Sequence, residues 1–264
     1  MTPGAPYADL GPFLLAAAGV AGLMVGSFLN VLVHRLPRGE SIVSPGSHCP
    51  ACGAPVRAFQ NVPVISWIAL RGRCAACRAP IAIRYPALEL ANAVLWVLVA
   101  RQGKDWGDIA GGAFLASACL ALLAIDAEFQ ILPDKITLTG IAVGIGFAFV
   151  TPSRSVPAAL IGAGVGAGGL FLVAFLYEKI AGHEGMGLGD VKMLGMIGAF
   201  LGAWGVLVTI LLSSLTGSIV GIALIASGKG TRKLKLPFGV FLAAGAVAAW
   251  FFGAPLVAWY RSRW

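Results

Sequence analysis

Eight long apolar stretches, at about 10–33, 86–100, 109–125, 136–150, 156–178, 190–204, 205–227 and 236–259, restrict this chain more than any other feature. A helix that crosses a ~30 Å hydrocarbon core needs roughly 17–25 mostly apolar residues, and these stretches approach or reach that length. The region 193–227 is almost uninterrupted. At 1.5 Å per residue it is too long for one crossing, so a turn is expected at Gly202–Gly205. The expected fold is an all-α polytopic membrane protein with about eight transmembrane helices. A small cytoplasmic zinc-knuckle insert lies between helices 1 and 2. Three segments follow: a first transmembrane helix in 1–33, a four-cysteine insert in 34–85, and a seven-helix membrane core in 86–264.

Composition agrees with that frame. Hydrophobic residues make up 58% of the 264 and charged residues 11%, where a soluble domain has about 45–50% and about 25%. This excludes an ordinary soluble enzyme, a disordered chain and a secreted disulfide scaffold. Glycine is also abundant, at 36 residues; in lipid, small residues let helices approach closely. The flank Met1 to Asp9 lacks Lys and Arg, so the first stretch reads as a retained helix and not as a signal peptide.

The net charge of +8 reads as a topology signal. With the N-terminus outside, the inner loops carry fourteen of the nineteen Lys and Arg residues and the outer loops five. That asymmetry matches the positive-inside rule, and no nucleic-acid partner is expected from it.

Four of the five cysteines form two pairs, Cys49-Pro-Ala-Cys52 and Cys74-Ala-Ala-Cys77. Each C-x2-C sets two thiolates at one tight turn, and two such turns complete a tetrahedral zinc site. A redox or disulfide pairing is the alternative, disfavoured where the insert faces a reducing cytoplasm. A closed site of four thiolates is structural, because catalytic zinc keeps an open position. Cys119 sits in an apolar stretch and reads as a small core residue.

Two aspartates end apolar stretches on the same face: Asp126, before Ala127-Glu128-Phe129-Gln130-Ile131-Leu132-Pro133-Asp134, and Asp190, after Gly187-Leu188-Gly189. Ionisable residues at membrane depth are candidates for function. Two carboxylates close together share one proton, so one activates a water while the other donates to a scissile carbonyl. That is aspartic protease chemistry. The alternative leaves both as solvated helix-end residues, with Asp190 favoured at a helix N-terminus. A transporter using the pair as a proton or cation site is a further alternative, as is a redox protein using the cysteine pairs.

The longer strings carry a resemblance. Gly187-Leu188-Gly189-Asp190 with an upstream Asp is similar to the GxGD intramembrane aspartic proteases. Gly26-Ser27-Phe28-Leu29-Asn30-Val31, His34-Arg35-Leu36-Pro37, Asn61-Val62-Pro63-Val64-Ile65-Ser66-Trp67, Arg84-Tyr85-Pro86 with Glu89, the Asp126 to Asp134 segment, Glu184 to Asp190 and Pro237-Phe238-Gly239 resemble, in order, the type IV prepilin peptidases. The resemblance implies removal of the short basic leader of type IV prepilins and type II secretion pseudopilins after a glycine, at the cytoplasmic face of a bacterial inner membrane. It further implies N-methylation of the new N-terminus with S-adenosylmethionine. Carried over by motif, Asp126 and Asp190 are the catalytic pair, with Asp134 the rival to Asp126 and placed second in a supporting role, as are Gly187 and Gly189. Glu40, Glu128, Asp134 and Glu184 are candidate contacts for a basic leader. No residue is assigned to the methyl donor; Gly162 to Gly166 lies in an apolar stretch and reads as helix packing. Asn30, Glu89 and Asn92 read as interhelical hydrogen-bonding residues, with Glu89 a candidate partner of Arg84 or Arg35. Lys192 is expected to point away from Asp190 and snorkel to the interface. His48 and His183 have no second His at ligand spacing.

Overall fold

A computed structural model describes residues 11–182, 187–228 and 236–263. Among them the apolar stretches all become helix, and no strand is present. The α-helices are α1 (Pro12–Arg35), α2 (Ile65–Ala69), α3 (Arg84–Gln102), α4 (Trp106–Phe129), α5 (Asp134–Val150), α6 (Val156–Ala181), α7 (Leu188–Ala226) and α8 (Phe238–Arg261). Most helices run beyond the apolar stretch because polar residues cap them. Asp105 accepts the Asp108 N–H at 2.7 Å to start α4, Gln130 ends it in the left-handed conformation, and Pro133 and Pro237 precede α5 and α8. These are the positions where side-chain oxygens and proline are favoured.

Five described helices, α1, α4, α6, α7 and α8, are long and apolar enough to cross a membrane. The 17-residue α5 and the arginine-flanked α3 fall outside that group. The chain is thus an all-helical, multi-pass membrane protein. The 39 residues of α7 would extend about 58 Å if straight. Gly202 breaks the helix with φ 69 and ψ −180, a conformation that a side chain disfavours. The expected turn is therefore a single residue.

The chain divides into two compact units, Met1–Gln102 and Gly103–Trp264. In the first, α1 and α3 run antiparallel at close range. A Cβ built on Gly22 or Gly26 would lie 2.7 Å from the Ala93 or Glu89 backbone. Asn92 donates to the Gly22 carbonyl at 2.8 Å and Asn30 to the Tyr85 carbonyl at 3.2 Å, as expected of interhelical amides. Glu89 is likewise an interhelical hydrogen-bonding residue, through Ser27 of α1, and it takes a further donor from outside the two helices. Its carboxylate accepts the Val64 N–H at 2.7 Å and the Ser27 hydroxyl. Arg35 turns to the carbonyls of Ser41, Pro45 and Gly46.

In the second unit, the first half of α7 lies between α5 and α6. Gly140 and Gly144 of α5 meet Met196 and Phe200, and Gly162 and Gly166 of α6 meet the carbonyls of Gly198 and Leu194. This is packing through small residues, as expected of Gly162 to Gly166. The half of α7 after Gly202 runs antiparallel to α8, with Ser213 donating to the Phe241 carbonyl at 3.0 Å. Leu115, Leu122, Ile125, Met193, Leu194, Met196, Ile197 and Leu242 are fully buried there, as is Cys119. At the end of the unit remote from Asp126, Arg154 donates to the Phe200 carbonyl, pairs with Asp108 at 2.8 Å and stacks over Trp250.

Candidate active site and metal centre

Asp126 and Asp190 of the second unit lie where α4 ends and α7 and α8 begin. Asp126 closes the buried face of α4 and is 5% exposed. A carboxylate there needs donors, and the N-terminus of α8 supplies them: Val240 N–H donates to Asp126 Oδ2 at 3.0 Å, and Gly239 N–H is a second donor. Free N–H groups in the first turn of a helix suit an anion. The close approach requires glycine at 239, because a Cβ there would stand 2.8 Å from Asp126 Oδ2 and 3.0 Å from Leu132 Cδ2.

Asp190 lies in the first turn of α7, its N–H donating to the Gly187 carbonyl at 3.1 Å. The Asp126 charge acts on it directly. Leu132 ties the two together, since its side chain touches the Cβ positions of both Gly189 and Gly239 at 3.0 Å. Two carboxylates 64 positions apart in sequence therefore face one small region beside α8. Gly187 and Gly189 border it, a Cβ on Gly187 falling 3.7 Å from Asp190 Oδ2.

Asp134 has another partner. It begins α5, exposed, and Lys192 Nζ reaches both of its oxygens at 2.8 Å. Lys192 thus does not simply snorkel, but holds the start of α5 to α7. Glu128 is exposed on α4, and Glu40 is exposed in the first unit. His183, Glu184, Gly185 and Met186, and the basic residues Lys229, Arg232, Lys233 and Lys235, lie outside the described residues. Sequence reading missed the donors to Asp126. Pro237-Phe238-Gly239 was visible as a string, but nothing local says that a helix start 114 residues downstream meets Asp126.

The first unit holds the candidate metal centre, the four clustered cysteines. Two turns of the same build face each other. Cys49 N–H donates to Ala54 O at 2.9 Å and Gly53 N–H to Cys49 O at 2.8 Å; Cys74 N–H donates to Ala79 O at 2.8 Å and Arg78 N–H to Cys74 O at 3.0 Å. The strings Cys-Pro-Ala-Cys-Gly-Ala-Pro and Cys-Ala-Ala-Cys-Arg-Ala-Pro repeat each other, a signal the cysteine spacing alone had left unused. All four Sγ atoms lie within 4.8 Å of one another, Cys49 and Cys77 at 3.9 Å. No disulfide joins them. Four thiolates at 2.3 Å around a tetrahedral ion stand about 3.8 Å apart, so the cluster fits a metal ion. Backbone N–H groups of Cys77 and Ala76 pull the Cys74 thiol down to about 6. At Cys52 the Ala54 N–H acts in the same sense, but the crowding Cys77 and Cys49 thiols hold Cys52 up at about 11.

The two knuckles differ at one strained position. Gly53 and Arg78 both have positive φ, 70 and 62. The left-handed region costs a non-glycine residue about 1 kcal/mol or more. Arg78→Gly is expected to stabilise the insert by about 1 kcal/mol, read as resistance of the 34–85 region to proteolysis. Gly53→Ala should act in the opposite sense.

Residues 20–102 match the Bacterial Peptidase A24 N-terminal domain, and residues 113–222 match the Type IV leader peptidase family. Relatives named "Prepilin leader peptidase/N-methyltransferase" align along most of the chain. That of Burkholderia pseudomallei is 39% identical over 91% of this chain and 86% of its own length. That of Stutzerimonas stutzeri is 39% identical over 94% and 93%, and that of Aeromonas hydrophila 37% over 91% of each. No solved structure matches. With both units matched and the aligned relatives spanning nearly the whole length, the chain belongs to the type IV leader peptidase family.

Proposed function

We propose that this protein is a prepilin leader peptidase of the bacterial inner membrane, with Asp126 and Asp190 as its catalytic pair. The convergence of these two carboxylates at the start of α8 supports the reading. With one proton shared between them, the ionised carboxylate takes a proton from water, whose oxygen bonds to the scissile carbonyl carbon. The protonated partner donates to the carbonyl oxygen. As the tetrahedral centre collapses, the carbon–nitrogen bond breaks and a proton passes to the leaving amine. The Val240 and Gly239 N–H groups fix the Asp126 carboxylate, and Leu132 sets the separation between the two backbones. Asp134, paired with Lys192, supports the start of α5, and Gly187 and Gly189 leave backbone room beside Asp190.

The charge asymmetry supports an outside N-terminus and a cytoplasmic site. A prepilin is itself a membrane helix with a short basic leader, so its scissile bond must become extended where water and the aspartates meet. Glu128 and Glu184 are the proposed acidic contacts for the leader. The test is the protein reconstituted in vesicles with a prepilin carrying a basic leader and a glycine before its apolar helix. Mass spectrometry should show loss of the leader at that glycine; an intact substrate overturns the reading. A proton- or cation-coupled transporter is less well supported, because the helix break at Gly202 is 12 residues from Asp190, about 18 Å along α7.

We further propose zinc for Cys49, Cys52, Cys74 and Cys77, in a structural role. Chelation should release about one zinc per chain and render 34–85 sensitive to protease, because a structural metal contributes to folding. Zinc that stays absent from freshly purified protein would count against it. The relatives' second activity extends to this chain as N-methylation of the new N-terminus with S-adenosylmethionine, read in the same assay as one added methyl group. The glycine run at 162–166 does not fit that donor, since Gly162 and Gly166 are filled by the carbonyls of α7.

A further inference from the structure

Around α2 the usual burial pattern is inverted. Ser66 is buried, its hydroxyl accepting the Val62 N–H and donating to the Phe59 carbonyl, both at 3.0 Å. Four apolar side chains of the same segment stay outside, while Val64 and Trp67 are half-buried. Phe59, Ile65 and Ile68 are 66%, 65% and 63% exposed, and Val62 is exposed as well. Ile83, just before α3, is also exposed. On a water-facing surface, such a cluster of exposed apolar groups marks an interaction site.

A strained turn fixes where this segment stands. Ile65 N–H bonds the Pro63 carbonyl at 2.6 Å, which forces Val64 to φ 61. A β-branched residue takes that conformation only under constraint. The constraint is Glu89 of α3, which accepts the Val64 N–H at 2.7 Å. Glu89 stands opposite Gly26 of α1, and Tyr85 opposite Asn30. The turn is therefore drawn alongside the last turns of a membrane-spanning helix, short of its end at Arg35, and does not ride above it.

Charge identifies what covers the apolar cluster. Between His34 and Tyr85 the chain carries seven arginines and one acidic residue, Glu40. Arg57, Arg71 and Arg73, which flank the segment, are all exposed. Apolar side chains at the headgroup depth with arginines around them match an anionic lipid surface. They would repel a basic peptide.

We propose that the segment 59–68 is an interfacial wedge: its apolar side chains enter the acyl boundary of one leaflet, and the flanking arginines hold anionic phospholipid headgroups. The wedge stands on the first unit alone and does not depend on the peptidase reading. The test places a photoreactive benzoylphenylalanine at Ile65, at Ile68 and, as a knuckle control, at Ala51, in the full chain in vesicles of phosphatidylethanolamine with or without phosphatidylglycerol. Only variants that accumulate as the parent does are compared. Lipid adducts at Ile65 and Ile68 should exceed those at Ala51 by at least about fivefold and rise with the phosphatidylglycerol fraction. Adducts to protein, whether to another part of the chain, a second copy or an added prepilin, overturn the wedge. So does a lipid yield equal to that at Ala51. Adducts that ignore phosphatidylglycerol overturn the headgroup half of the proposal. Prepilin cleavage in the same vesicles is scored separately, so failure of either reading leaves the other standing.

Discussion

Asp126→Asn and Asp190→Asn are each expected to lower prepilin cleavage by about a thousandfold or more, while the protein still accumulates in the membrane. Asparagine keeps the shape of aspartate, and at 126 its carbonyl oxygen can still accept the Val240 N–H that holds the wild-type carboxylate at 3.0 Å. What it removes is the carboxyl group that can take up or give a proton, without which water is not activated and the carbonyl oxygen not protonated. Asp134→Asn is the control that separates chemistry from local charge. Asp134 is exposed and paired with Lys192 on the surface, and such a pair contributes at most about 1 kcal/mol. Cleavage by that variant should stay within about threefold of wild type. If Asp134→Asn abolished cleavage and Asp126→Asn did not, the rival assignment would hold. The readout is the ratio of mature to unprocessed prepilin, with enzyme level measured on the same membranes.

Gly198→Val should cost about 3 kcal/mol or more and remove most of the protein from the membrane. A Cβ at 198 would overlap the Gly162 carbonyl, and one at 162 would overlap the Gly198 carbonyl. These are backbone atoms of two long helices, so no side-chain rotamer relieves the overlap. The helices must separate, losing contact along the length of α6. In lipid no hydrophobic effect draws them back, because packing itself is the attraction. Gly164→Ala is the paired control, since nothing lies within 4 Å of its Cβ position. There alanine should be neutral or stabilising by up to about 1 kcal/mol, as alanine favours helix over glycine. Thermal denaturation in detergent with a folding-sensitive probe reads both. Equal loss from the two variants would mean that glycine serves flexibility in α6 and not close approach.

The same contrast explains how much could be read in advance. The helices were legible because an apolar run at membrane length has few alternatives, and the seam at Gly202–Gly205 followed from length alone. The cysteine cluster was legible because two C-x2-C turns leave little freedom in where sulfur can go. Asp126 and Asp190 were legible as candidates because so few acidic residues end an apolar helix. Their companions were not. Lys192 was expected to turn away from Asp190, and it does, but its partner Asp134, 58 positions away, had no local signal. Glu89 was expected to bond across the helices and meets Ser27 of α1, but its second task, restraining the Val64 turn, had no local signal. A pairing across helices depends on rotation and depth, and neither is encoded in the spacing of one segment.

The sequence by itself determined that this chain lives in a membrane, roughly where its long helices lie, and which residues form the cysteine knuckles. Those properties follow from local apolarity, capping and ligand spacing, each confined to a short window. Only the tertiary structure decided that the N-terminus of α8 would supply donors to Asp126, that Leu132 would lie between Gly189 and Gly239, and that the polar Ser66 would be buried while Ile65 and Ile68 stay outside. Each of these joins groups brought together by packing, and each depends on glycines or hydrogen bonds whose partners the chain meets only after its helices have docked.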